Sequence, residues 1–167
     1  MTTESAQKAW LRRQRAEAPL RGWAARKAGA VATEAMQEAV AKGGFSLRPF
    51  AEHPAPSGGV MVSLPVSAGF NRKVELSGQV KKSAARAEFK GFIERALPYL
   101  VTHPDSYIGG WLEKDAGGRP VRLHLDVSER YDRQHLAAAT QLGRERNQIA
   151  VWDVDNLREI ATGGSGT

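Results

Sequence analysis

The sequence predicts an α+β protein in which a basic helical N-terminal arm precedes a ferredoxin-like (split βαβ) layer, an antiparallel sheet covered by two helices. Three observations predict it: the order of strand-like and helix-like segments after residue 60, a two-residue alternation over residues 121–128, and a first stretch rich in alanine and arginine. A chain of 167 residues has room for one such domain and an extension. We therefore expect an arm at 1–44, a linker at 45–59, a core domain at 60–164 and a tail at 165–167.

The N-terminal arm is predicted to form two helices. The first begins near Thr2 and reaches about Arg15, and Pro19 then interrupts it, because proline lacks a backbone donor and clashes with the preceding turn. The second runs from Leu20 to about Lys42 and ends at a Gly-Gly pair. The next segment is predicted to be an extended, loop-like linker because it is rich in proline and glycine. These residues are Pro49, Pro54, Pro56, Gly58 and Gly59.

The core is predicted to begin with two short strands and a long amphipathic helix. Val60–Pro65 is β-prone, and Arg72–Leu76 alternates polar and apolar side chains as an edge strand does. The helix predicted over Ser83–Val101 has its apolar residues on one face and charged residues over much of the rest. The apolar stripe consists of Phe89, Phe92, Ile93, Ala96, Leu97 and Leu100.

A hairpin, a helix and a last strand complete the predicted core. Tyr107–Leu112 and Val121–Ser128 are joined by a polar turn, and the second of them alternates as a strand with one buried face does. A helix is expected from about Asp132 to Arg146, and then a strand over Gln148–Val154 and a glycine-rich stop. Apart from the extra edge strand, this is the β-α-β-β-α-β order.

Several kinds of site are excluded by residues that the sequence lacks. Cysteine is absent, so disulfides, thiolate metal sites and thiol chemistry are excluded. The four histidines have no metal-ligand spacing, and no glycine-rich segment matches a phosphate-binding or dinucleotide-binding loop. We therefore expect no metal and no cofactor. No apolar run approaches the length of a membrane span, so we expect no membrane partner.

The positive charge of the chain is concentrated at its N-terminus. The net charge is +6, and residues 1–50 carry nine Lys or Arg against four Glu, which leaves +5 in this segment. A basic arm on a near-neutral domain indicates an acidic partner, either nucleic acid or an acidic protein surface. One alternative is a solvated helix whose charges only aid solubility, and another is that the two tryptophans dock the arm on its own core. The predicted partner-binding residues are Trp10, Arg12, Arg13, Arg15, Arg21, Trp23, Arg26 and Lys27.

A second candidate site lies on the polar face of the strand predicted over residues 121–128. Alternate residues of a strand point the same way, so Arg122, His124, Asp126 and Ser128 share one face. Such a row suits acid-base chemistry or phosphate contact. The alternative is an ordinary solvent-facing strand, since the sequence shows no nucleophile, pocket or supporting residues around the row.

Four segments resemble a family of bacteriophage and prophage proteins. They are Ser57–Ser63, His103–Trp111, Leu125–Ser128 and Asn147–Asp153, which match a strand similar to SGYMVS, a YIGGW strand, an LDVS strand and a strand similar to NQxAIWDL. The resemblance covers about residues 43–164, and Val60 stands where an aromatic residue is commoner. It implies an accessory domain of a phage or mobile element, sometimes attached to larger virion or toxin-like proteins, and it identifies no catalytic residues.

We expect a non-enzymatic phage or prophage accessory or virion-associated module, anchored to a protein or nucleic-acid partner by its basic arm. Two alternatives remain open. One is a small metal-independent ribonuclease or toxin-like nuclease that uses the row of Arg122, His124, Asp126 and Ser128. The other is a nonspecific nucleic-acid-binding protein. We expect the partner to be a phage structural or host protein, and the location to be the host cytoplasm or the phage particle, since the polar N-terminus is unlike a signal peptide. The sequence leaves the oligomeric state open.

Overall fold

The computed structural model describes residues 3–52, 54–77 and 82–166. The described structure is 45% helical and 28% strand, which confirms the predicted α+β class. Its antiparallel sheet curls into a half-barrel. The described helices are α1 (Thr3–Lys42), α2 (Lys82–Thr102) and α3 (Leu136–Glu145). The described strands are β1 (Gly44–Leu47), β2 (Val60–Ser63), β3 (Asn71–Glu75), β4 (Ser106–Lys114), β5 (Pro120–Tyr131), β6 (Ala150–Asp153) and β7 (Arg158–Ala161).

Strand β5 is the central strand of the sheet and pairs with three others, β2, β3 and β4. The strand order is β1-β4-β5-β2-β6-β7, and β3 also pairs with β5. Because β5 is twelve residues long, one of its edges accommodates two short strands. β3 lies opposite Arg122–Asp126, and β2 lies opposite Ser128–Tyr131. The other edge of β5 pairs with β4 along almost its whole length.

The two faces of the sheet differ in character. Leu123, Leu125 and Val127 of β5 are buried with apolar residues of α1 and α2 in one core cluster. Val60 and Val62 of β2 point to the same side, and they pack with α3 in a second cluster. We call this the helical face. The opposite side, called the open face below, carries the even-numbered residues of β5, and none of its described residues belongs to either cluster.

Helix α1 is continuous, which corrects the expectation that Pro19 would divide it. Proline at this position leaves the carbonyl of Arg15 without its usual donor. Pro19 is exposed, so water can satisfy that carbonyl, and the neighbouring alanine, leucine and arginine residues favour helix. The helix therefore passes through the proline.

The second half of α1 belongs to the core. A stripe of alanines at helical spacing is buried, and Nε of Arg86 on α2 donates a hydrogen bond to the carbonyl of Gly29 at 3.1 Å. Small side chains let the two helix backbones approach closely. Described residues before the stripe are exposed or half-buried. The stripe consists of Ala24, Ala28, Ala32, Ala35 and Ala39.

Two strands were missed by the sequence patterns. The segment predicted as a linker begins with a strand, since Phe45 lies within β1, which pairs with β4. Phe45 also stacks on Phe89 of α2, with ring centroids 5.5 Å apart. Between the predicted last strand and the glycine-rich stop lies β7, which pairs with β6. Both strands have four residues, too few for alternation to be recognised.

Candidate functional site

The four residues of the predicted row all lie on the open face of β5. Strand pairing sets their neighbours. His124 lies opposite Trp111 of β4 and Lys73 of β3, and Arg122 lies opposite Glu113 and Glu75. Ser128 lies opposite Ser63 of β2. The sheet thus adds polar and aromatic side chains from three other strands to the row.

A hydrogen-bonded cluster surrounds the first half of the row. Nε2 of His124 lies 2.7 Å from Oε2 of Glu113, and Nη1 of Arg122 donates to the same oxygen at 2.9 Å. Nε of Arg122 donates to Glu75 at 2.6 Å. The hydrogen bond from His124, with Arg122 beside it, holds the pKa of Glu113 below its usual range. Glu75 and Glu113 raise the pKa of Arg122.

This environment defines the hydrogen bonding of His124. Because Glu113 stays ionised, its carboxylate can only accept a hydrogen bond from His124, so Nε2 of the imidazole carries the donated proton. In the neutral form of that tautomer, the lone pair of the ring is on Nδ1. Among the described residues Nδ1 has no hydrogen-bond partner, and no polar side-chain atom of the described residues is both buried and unpaired. Nδ1 is therefore open to solvent.

Trp111 holds the imidazole in place. Its ring stacks on that of His124 with centroids 3.8 Å apart and planes inclined by 6°. The His124 side chain is 16% exposed, whereas Trp111 is 44% exposed. On the side of Trp111 away from His124, the paired residue of β1 is Gly44, which has no side chain to cover the indole.

The second half of the row forms a separate group. Oδ1 of Asp126 accepts a hydrogen bond from Ser128 and Oδ2 accepts one from Ser63, both at 2.8 Å. Burial raises the pKa of Asp126, and the two serine hydrogen bonds oppose that rise. No hydrogen bond between the described side chains of Asp126 and His124 is found. The structure thus divides the four residues into two pairs.

The neighbours of the row were missed by sequence reasoning. Glu113, Trp111 and Lys73 belong to strands that are near β5 only after folding, so no local spacing connects them to His124. The one usable signal was the predicted β4–β5 hairpin. Its register would have placed Trp111 and Glu113 beside the row.

The predicted partner-binding residues all lie on α1. Arg12, Arg15, Arg21, Arg26 and Lys27 are exposed. The side chains of Trp10 and Arg13 lie outside the described part of the chain. Trp23 is half-buried and meets the ring of Phe50 edge-on at 6.5 Å, so this tryptophan docks the helix on its own core.

A shallow cleft of about 240 Å³ opens between the α2–β4 connection and the end of β5. Two of its charged side chains, those of Glu129 and Arg130, are paired. Glu129 accepts a hydrogen bond from Arg146 at 2.8 Å, and Arg130 forms an ion pair with Asp132 at 3.0 Å. The cleft is therefore a weaker candidate than the open face.

Comparison with protein-family models, curated proteins and solved structures finds no match to this chain. Within residues 3–52, 54–77 and 82–166, no three potential ligands from His, Cys, Asp and Glu are grouped to hold a metal ion. No described helix is both long and apolar enough to cross a bilayer.

Proposed function

We propose that the protein is a phage or prophage accessory module that binds an acidic protein surface through the basic first half of α1. The observation that carries the proposal is the length of α1. A helix of 40 residues extends about 60 Å, but its buried stripe starts only at Ala24. The preceding turns are therefore presented away from the helix–helix contact.

The charges of this segment support a binding role. Residues 1–27 carry seven Lys or Arg and two Glu, which gives a net charge of +5. Four of the cations, at spacings of 4, 3 and 11 residues, share one side of the helix, roughly opposite the alanine stripe. All four are exposed: Lys8, Arg12, Arg15 and Arg26. We call them the basic stripe.

A capture experiment with the full chain tests this function. We expect the wild-type protein to retain a phage structural protein, or a host protein, from lysate of infected cells with and without nuclease treatment. Reversing the charge of Arg12, Arg15 and Arg26 to Glu should abolish capture. The matched control reverses three exposed cations elsewhere: Lys82, Arg95 and Lys114.

The same experiment separates the alternatives. Equal capture by the two triple variants would contradict the role of the basic stripe. Capture that disappears with nuclease would favour a nonspecific nucleic-acid-binding protein instead. In that case the affinity should fall steeply with salt, because lysine and arginine release counterions from phosphates.

We also propose that the sheet derives from a ferredoxin-like layer. The order β4-β5-β2-β6 supports this, since β5 lies between the two parallel strands that the α2 connection joins. β1, β3 and β7 are then additions at its margins. An experimental structure with α2 and α3 on opposite faces would contradict the proposal.

A further inference from the structure

We propose that the open face carries a metal-independent site for cleaving single-stranded RNA, formed by Trp111, His124 and Lys73 and oriented by Glu113. These residues occupy neighbouring positions across β4, β5 and β3. The inference concerns a different surface from the basic stripe and does not depend on the proposed anchoring function.

His124 has the features of a proton acceptor. Its Nε2 is bound to Glu113 at 2.7 Å, its ring plane is fixed by the stack on Trp111, and its Nδ1 is open to solvent. A carboxylate that orients a histidine and fixes its tautomer leaves the other nitrogen free to take a proton from a bound hydroxyl. Glu113 acts here as a positioning residue.

Trp111 offers a stacking surface for a base. One face of the indole is covered by His124, and the side toward β1 has only Gly44 opposite it. Single-stranded nucleic acids commonly stack their bases on such exposed aromatic rings. A base stacked there lies across the indole from His124, so the sugar-phosphate backbone has to pass the edge of the indole to bring a neighbouring ribose to the imidazole.

Lys73 supplies the positive charge that a phosphate needs. It lies opposite His124 in the β3–β5 register, where paired Cβ atoms are about 5 Å apart. Its side chain is exposed and has no ion-pair partner among the described residues. The nearby carboxylates of Glu75 and Glu113 are both engaged by Arg122, so Lys73 is the cation available to a ligand.

The residues on the open face suit transphosphorylation. Nδ1 of His124 takes the proton of the ribose 2′-hydroxyl, and the 2′-oxygen forms a bond to phosphorus while the bond from phosphorus to the 5′-oxygen breaks. The leaving 5′-oxygen takes a proton from solvent, and His124 returns its proton to solvent. The ammonium of Lys73 stabilises the charge that develops on the phosphoryl oxygens. The products are a 2′,3′-cyclic phosphate and a 5′-hydroxyl.

The test is cleavage of an end-labelled, unstructured RNA by the full-length protein in excess EDTA. We expect 2′,3′-cyclic phosphate ends and no cleavage of the same sequence as DNA, which lacks the 2′-hydroxyl. His124→Gln should lower kcat about 100-fold or more, because general base catalysis contributes at least that factor. His135→Gln, at an exposed histidine on the 3-10 turn before α3, is the matched control and should cut normally.

Two further variants separate binding from orientation. Trp111→Leu should raise KM about tenfold or more, as expected for loss of stacking, and should also lower kcat, because the indole fixes the plane of the imidazole. Glu113→Gln should lower kcat at nearly unchanged KM, with circular dichroism equal to wild type. RNA left uncut, cleavage that survives His124→Gln, or equal loss in the His135→Gln control would each overturn the proposal. None of these outcomes bears on capture by the basic stripe, so the two proposals fail separately.

Discussion

The carboxylate of Asp153 is fully buried at the end of β6 and is nevertheless kept ionised. Asn156 donates to Oδ2 at 2.8 Å and Arg133 donates to Oδ1 at 2.6 Å. The hydrogen bond from the Asn156 side chain, followed by the hydrogen bond and the charge of Arg133, lowers the pKa of Asp153 to about 2. The residue ties the β6–β7 hairpin to the turn before α3.

This environment predicts how stability depends on pH. The folded-state pKa lies below the value of 3.8 for an ordinary aspartate, so the ionised form stabilises the fold above about pH 4. That contribution should disappear as the pH falls toward about 2. We expect Asp153→Asn to lower the unfolding midpoint in urea at pH 7 and to reduce the loss of stability between pH 4 and 2. An unchanged slope in the variant would contradict this assignment.

Arg48 closes the end of α2. Its guanidinium donates hydrogen bonds to three backbone carbonyls, those of Leu100 in the last turn of α2, His103 just after the helix and Ser106 at the start of β4. Burial lowers the pKa of Arg48. A residue from the predicted linker is thus a structural part of the core.

We predict that Arg48→Met destabilises the fold by about 2 kcal/mol, since several carbonyls lose a charged donor at once. Arg48→Lys should be intermediate because one ammonium cannot reach three carbonyls with the geometry of the guanidinium fork. Arg119→Met, at an exposed position in the β4–β5 turn, should change stability by less than about 0.5 kcal/mol. Urea denaturation measures all three. Equal effects of Arg48→Met and Arg119→Met would show that Arg48 is not a structural anchor.

At the scale of helices and strands, the local sequence pattern was sufficient to predict an element and its buried face where the element is long. The alternation in β5 correctly indicated that Leu123, Leu125 and Val127 are buried, and so did the apolar stripe of α2, although Ser128 on the polar face of β5 is buried as well. Pattern failed for β1 and β7, because four residues carry too little periodicity and their pairing partners are distant in sequence. Pro19 led to the prediction of a helix break that the structure does not have, since an exposed proline can be accommodated within a long helix.

The alanine stripe of α1 gives a prediction at the same scale. Ala32 is fully buried between α1 and the core, whereas Ala30 on the same helix is exposed. We expect Ala32→Leu to cost about 1–3 kcal/mol by overpacking. Ala30→Leu should stay within about 0.5 kcal/mol of wild type. Thermal unfolding of the pair checks this, and matching melting temperatures would mean that α1 does not pack as described.

At the scale of the whole molecule, α1 determines the outline. A compact domain of 167 residues should have a radius of gyration of about 15 Å and a diameter of roughly 40 Å. A continuous helix of 40 residues imposes a length of about 60 Å. We predict that small-angle X-ray scattering gives a maximum dimension of at least about 60 Å. A value near 40 Å would contradict a continuous α1.

The extended outline separates the two proposed surfaces. The basic stripe lies on α1, which packs through its alanine stripe on α2, whereas Trp111, His124 and Lys73 lie on the open face of the sheet. A partner bound along the first turns of α1 therefore need not cover the proposed RNA-cleaving site. The protein can be tested for both activities independently.

The sequence by itself determined the α+β class, the position of α2, the buried face of β5 and the basic charge of the first residues. These depend on periodicity and composition, which are local properties of the chain. Tertiary structure alone decided that Lys73 joins Trp111 and Glu113 around His124, that Asp126 stands apart from it, and that half of the arm belongs to the core. The physical reason is that strand register and helix docking join residues far apart in sequence, and the energy of those contacts comes from packing rather than from any local preference of the residues.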